Sequence, residues 1–156
     1  MKKWIFLGII LFGVFIWFGV HTYQNAFEYR YKQSSKAIEQ AKEEVPNIEI
    51  LDVTYFNGNE SYTIVHGKID GEEHIVCVPN NKKLDIIEVN PEKGITAQEA
   101  IGIVKDERNP LEIKAVNLGI EQNIPIWEII YLDEQNRYSY YYVTFKDGQF
   151  IKRYTL

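Results

Sequence analysis

The chain has 156 residues, with 17 Lys and Arg against 22 Asp and Glu, a formal net charge of −5, and one cysteine. An acidic balance makes nucleic acid a poor partner. A single cysteine allows no internal disulfide, so the fold must rest on its hydrophobic cores.

The first segment, MKKWIFLGIILFGVFIWFGV, places two lysines before an uncharged apolar run from Trp4 to Val20. At about 1.5 Å rise per residue this run covers about 25 Å, near the lower limit for spanning a bilayer core. Trp4, Trp17 and Tyr23 suit interfacial anchoring. The expectation is an uncleaved transmembrane anchor over residues 1–22, embedded through residues 4–20. The alternative is a cleaved signal peptide, but the run exceeds the usual apolar length and no small-x-small site follows it. A lipoprotein is excluded because no cysteine follows the run; the only one is Cys77. Lys2 and Lys3 keep the N-terminus cytoplasmic and put the rest of the chain outside, a single-pass arrangement in the cell membrane. That outer part holds 15 basic and 22 acidic residues, a formal charge of −7.

Beyond the anchor, Ser35 precedes Ala37, Ile38, Ala41 and Val45 at helical spacing, and Pro46 closes the helix. Strands are expected at Ile48–Tyr55, Tyr62–Ile69, His74–Val78 and Leu84–Val89. Asp70-Gly71 signals a tight hairpin. Pro91 to Gly94 reads as a linker. The same plan then returns. Thr96 and Glu99 fit a capping box, in which the Thr oxygen takes a backbone proton and the Glu reaches back. Ala97, Ala100, Ile101 and Val104 form an apolar stripe, and Asn109-Pro110 ends the helix. Strands follow at Leu111–Ile120, Ile126–Leu132, Tyr138–Phe145 and Phe150–Tyr154, the last after an Asp147-Gly148 turn. Ala37 answers to Ala100 and Pro46 to Pro110 at 63 to 64 residues, and Tyr62 to Trp127 at 65. The fold class is therefore α+β: a tandem repeat of two units, each one helix on a four-stranded antiparallel sheet. The first unit spans 23–90 and the second 95–156. Each is small enough to be marginal alone, so a shared interface is expected.

No catalytic constellation is visible. His66 and His74, on neighbouring strands, make an incomplete zinc site. Cys77 within Ile75 to Val78 reads as a buried, inert thiol. No metal, no cofactor and no enzymatic activity are expected. The candidate binding residues are aromatic. Period two separates Tyr138, Tyr140 and Tyr142 from Ser139, Tyr141, Val143 and Phe145. The second set is read as the face under the helix. The first then faces away, and three phenol rings in a row suit a protein partner or a glycan. The competing reading is a cross-strand ladder, or an interface with the first unit.

The opening Ile95 to Ala100, the Trp127-Glu128-Ile129 strand, and Tyr142-Val143 with Lys146-Asp147-Gly148 resemble a PepSY-type domain. Anchor plus two such units, the chain resembles the TseB-like cell wall elongation regulator family of Gram-positive bacteria. The resemblance implies a cystatin-like fold in each half and a non-enzymatic, extracytoplasmic interaction module that regulates peptidoglycan elongation. The implied partner is a wall-synthesis protein such as an elongation-type penicillin-binding transpeptidase. The alternative is an inhibitor or modulator of a secreted peptidase, since PepSY-type domains also occur in protease propeptides.

Overall fold

The computed structural model describes residues 2–156, with the side chains of all but positions 2–10, 24–27 and 29. The chain divides into residues Met1–Lys36 and a compact body from Ala37 to Leu156. Helix α1 (Lys2–Glu44) makes up the first and contributes its last turns to the second. In the first, the rings of Trp17 and His21 stack with centroids 5.4 Å apart. Among the described residues no helix is long and apolar enough to cross a membrane. The anchor expected at 1–22 rests in large part on positions whose side chains lie outside those described.

The body contains two four-stranded antiparallel sheets, ordered β1-β2-β3-β4 and β5-β6-β7-β8. The first comprises β1 (Glu49–Asn57), β2 (Ser61–Ile69), β3 (Glu72–Pro79) and β4 (Ile87–Val89). The second comprises β5 (Glu112–Glu121), β6 (Ile124–Leu132), β7 (Tyr138–Thr144) and β8 (Phe150–Thr155). A 3-10 turn at Pro91–Lys93 and helix α2 (Ala97–Arg108) connect them. Of the expected strand Leu84–Val89 only the last three residues pair; Leu84 is held in a turn by its bond to Asn81 and packs its side chain inward.

The local signals act as their chemistry dictates. Thr96 caps α2 with both arms of the capping box formed. Asn109 ends the helix in the left-handed region at φ 46°, a conformation Asn tolerates because its short amide bonds locally. Asp70 and Gly71, both at positive φ, make the β2–β3 hairpin turn.

The registers show the repeat more sharply than the sequence does. β1 carries a bulge at Leu51, between Ile50 and Asp52, and β5 carries one at Lys114, between Ile113 and Ala115. Such bulges re-aim a strand, and their recurrence at one place marks equivalent backbones. Pairing then equates Val65 with Ile129, opposite Val53 and Val116, and Val76 with Tyr141. Tyr62, opposite Phe56, answers to Ile126, opposite Gly119, and not to Trp127 as expected; the offset is one residue shorter.

Three cores follow. Ala37, Ala41 and Val45 pack on Val65, Val76 and Val78 of the first sheet. Ala100 and Val104 pack on Ile129, Tyr131, Tyr141 and Val143 of the second, with Ile103 rather than Ile101 completing the stripe. The third core joins the units: Phe56, Tyr62, Ile64, Ile75, Cys77 and Val89 meet Leu118, Ile120, Ile126, Tyr142 and Phe145. Strand alternation puts the first-sheet members of this set, with Ile126 and Tyr142, on the faces opposite the helices. Leu118 and Ile120 instead alternate in step with Val116 on the other side of β5. Phe145, expected under the helix, lies past the end of β7 and turns to this core instead. The two sheets therefore pack against each other, with a helix on either outer side.

Candidate functional site

The tyrosine row lies on that joining face. Tyr141 is fully buried beneath α2, as expected, its hydroxyl donating to Glu107 and its ring under the Arg108 guanidinium at 5.5 Å. Burial first, then the Glu107 bond, pushes the Tyr141 phenol up to about 12, with Arg108 opposing. The other set does not form an outward row. Tyr142 is 3% exposed, Tyr140 is half-buried against the inter-sheet core, and Tyr138 is 49% exposed at the strand's start. The proposed contiguous surface of Tyr138, Tyr140 and Tyr142 is corrected on this point. Each sheet is apolar on both faces because it meets a helix on one and a sheet on the other, so the face away from the helix is not free.

Around Tyr142 the interface holds a polar network that sequence reading missed. The Tyr142 hydroxyl donates to Glu128, and Asn117 Nδ2 donates to the other Glu128 oxygen at 3.0 Å. Lys152 Nζ donates to Glu121 Oε1 at 2.7 Å and lies 4.8 Å from the centroid of the Tyr142 ring. Asn59, from the β1–β2 turn of the first unit, donates to that same Glu121 oxygen at 2.6 Å. Burial and the Glu128 bond raise the Tyr142 phenol far above its ordinary range, so it stays a donor. Burial pulls the Lys152 amine down, but the Glu121 bond prevails and raises it, so it stays charged. Buried charges are tolerated only when paired in this way. One signal was available: Glu128 interrupts the apolar run of β6.

The remaining reactive groups are occupied or shut away. Cys77 is buried completely, and burial lifts its thiol to about 12. His66 pairs in register with Ile75, whereas His74 pairs with Gly67, so the two imidazoles project from opposite faces. His66 Nε2 lies 3.3 Å from the Thr54 hydroxyl, and His74 Nδ1 lies 3.0 Å from Glu88 Oε1. Among the described residues no three His, Cys, Asp or Glu side chains converge on a metal-sized site.

Two helix-on-sheet repeats, fused through a shared core whose charged groups bind one another, define a small two-repeat α+β protein with its polar chemistry turned to assembly. Known proteins carry the identification further. The chain is 32% identical over 152 residues to the probable cell wall elongation regulator TseB of Bacillus subtilis strain 168, covering 97% of this chain and 94% of that one. It superposes on the solved YpmB protein from Bacillus subtilis with a TM-score of 0.74 at 35% identity, covering 78% of this chain and 96% of that one. No protein-family model matches. The chain belongs to the TseB-like cell wall elongation regulator family.

Proposed function

We propose that this protein is a non-enzymatic, membrane-anchored, extracytoplasmic interaction module that regulates cell wall elongation by binding an elongation-type penicillin-binding transpeptidase. The observation that carries the regulatory reading is the match to a probable elongation regulator along nearly the whole of both chains. The structure adds support. The Cys77 thiol is buried and raised, and the histidines are separately engaged. An anchor is supported by the apolar side chains from Leu11 to Val20, of which Phe12, Phe15, Trp17 and Phe18 are each at least 65% exposed. A water-facing helix does not ordinarily leave such a run uncovered. Of the tyrosine row, Tyr138 and the outer part of Tyr140 are offered to a partner; Tyr142 belongs to the fusion of the two units.

Affinity capture of the tagged full chain from gently solubilised membranes tests this reading. Recovery of a penicillin-binding transpeptidase is expected. Recovery of a secreted peptidase instead replaces the reading with that of a peptidase inhibitor acting in trans.

A further inference from the structure

β8 closes one side of the second sheet, and its outer edge pairs with nothing among the described residues. The Leu156 amide donates inward to the Tyr138 carbonyl at 2.9 Å. By strand alternation the amides of Arg153 and Thr155 then point outward, ready to pair with another strand. Natural proteins blunt such edges, because an open ladder recruits other chains. This edge is apolar along much of its length: Phe150 is 53% exposed, Ile151 38%, and Leu156 78%.

A second observation gives the edge a polarity. The chain contains four arginines, and three of them (Arg108, Arg137 and Arg153) line one cavity of about 160 Å³ with Tyr131, Asp133 and Glu134. Arg137 is taken up by Asp133, through bonds of 2.9 and 2.7 Å. Glu134 accepts from Asn109. Arg108 is only loosely matched: its nearest carboxylate is Glu107 at 3.8 Å, and its Nε is buried with no partner. No hydrogen bond or ion pair engages the Arg153 side chain among the described residues. Arg153 pairs with Tyr141 in register and so projects on the α2 face, where Arg108 covers that same ring. Two undersatisfied guanidinium groups therefore stand beside the open edge of an otherwise acidic protein.

We propose that the β8 edge and this arginine cavity form one docking surface for an extended, carboxylate-bearing segment of a partner protein. The segment adds a strand to β8 through the outward amides. Its alternate side chains on the α2 face set carboxylates against Arg153 and Arg108, where guanidinium matches carboxylate in a planar fork. A second copy of this chain fits poorly, because antiparallel pairing of β8 with its own copy through the outward Arg153 amide sets Arg153 opposite Arg153 on the α2 face, and like charges opposed across strands repel. The inference deepens the proposed function and rests on it for the identity of the partner, though not for the chemistry of the surface.

The test uses the full chain in detergent micelles and a fluorescein-labelled, end-capped Val-Glu-Val-Glu-Val-Glu-Val peptide, with binding read by fluorescence anisotropy. The glutamate peptide is expected to bind about tenfold tighter than its glutamine counterpart, and less tightly as salt rises. Arg153→Glu, at an exposed site whose melting temperature should hold, is expected to remove that preference. Methylating alternate amides of the peptide is expected to abolish binding while leaving every charge in place. Equal affinity for the two peptides, or undiminished binding to Arg153→Glu, overturns the proposal. So does undiminished binding of the methylated peptide with competition by inorganic phosphate, which marks a simple anion pocket. Dimerisation through β8 in sedimentation also overturns it. Peptide binding without capture of a transpeptidase defeats the proposed function and leaves the surface standing; capture without peptide binding does the reverse.

Discussion

Gly119 offers a sharp test of the fused core. It lies on β5 opposite Ile126, and a Cβ built there falls 2.4, 2.5 and 2.6 Å from three carbons of the Phe56 ring. Carbon atoms in contact prefer about 3.5–4.0 Å, so the ring must retreat by about 1 Å. It has little room: Phe56 is 1% exposed, and a Cβ at Gly58 would stand 2.6 Å from its opposite edge. The ring from the first unit is wedged between two glycines, one from each unit. Gly119→Ala should therefore cost about 1–3 kcal/mol through overpacking, even though alanine in a strand is otherwise the better residue. At about 4 °C per kcal/mol for a body of this size, the melting temperature falls by about 4–12 °C. Phe56→Leu alone also destabilises, by opening a void. Combined, the two should lose at least about 1 kcal/mol less than their sum, because the smaller side chain makes room for the new methyl. Thermal and urea unfolding of the full chain in micelles measures all four proteins. A neutral Gly119→Ala, or strict additivity in the double variant, refutes the shared core.

Other outcomes follow from the same geometry. Tyr141→Ala should cost about 3–5 kcal/mol, whereas Tyr142→Phe, which leaves buried Glu128 with Asn117 alone, should cost about 1–3 kcal/mol; calorimetry of both checks the placement of the two faces. Burial first holds His66 below its ordinary 6.5, with Asp52 and Glu73 opposing. The folded chain thus binds that proton more weakly than the unfolded chain, so the contribution is complete above 6.5 and is lost as the pH falls through the folded value. His66→Asn should accordingly flatten the difference in melting temperature between about pH 7.5 and about pH 5.5; an unchanged difference contradicts the assignment. Protease added to intact protoplasts should remove the body while the recovered full chain still begins at or near Met1. A mature N-terminus near residue 21 contradicts the anchor.

The features legible in the sequence are those written in neighbouring residues. The Thr96–Glu99 box, the Asp70-Gly71 turn and the helix-stopping prolines need only local chemistry, and each stands where it was expected. Period two also separated Tyr141 from Tyr142 correctly. What it could not supply was the environment of the second face. Alternation shows that two faces differ, and only tertiary packing decides whether the one away from the helix meets water or another sheet. The same limit misaligned Tyr62 with Trp127: both are aromatic, but Tyr62 turns to the joining core with Ile126, while the Trp127 indole donates to the Ile95 carbonyl at 2.8 Å. The Asn59–Glu121–Lys152 cluster spans positions 62 and 31 apart in the chain, a separation no local pattern encodes. The twin bulges at Leu51 and Lys114 likewise emerge only from the registers.

Docking in the living cell tests the regulatory reading most directly. Photoreactive residues placed singly at the exposed positions Leu51, Tyr138 and Arg153 of the full chain can be irradiated in growing cells and their adducts identified by mass spectrometry. An elongation-type penicillin-binding transpeptidase is predicted as the adduct from Tyr138 and Arg153, with Leu51 silent. Adducts from every position with a secreted peptidase, or none with any wall-synthesis protein, contradict it.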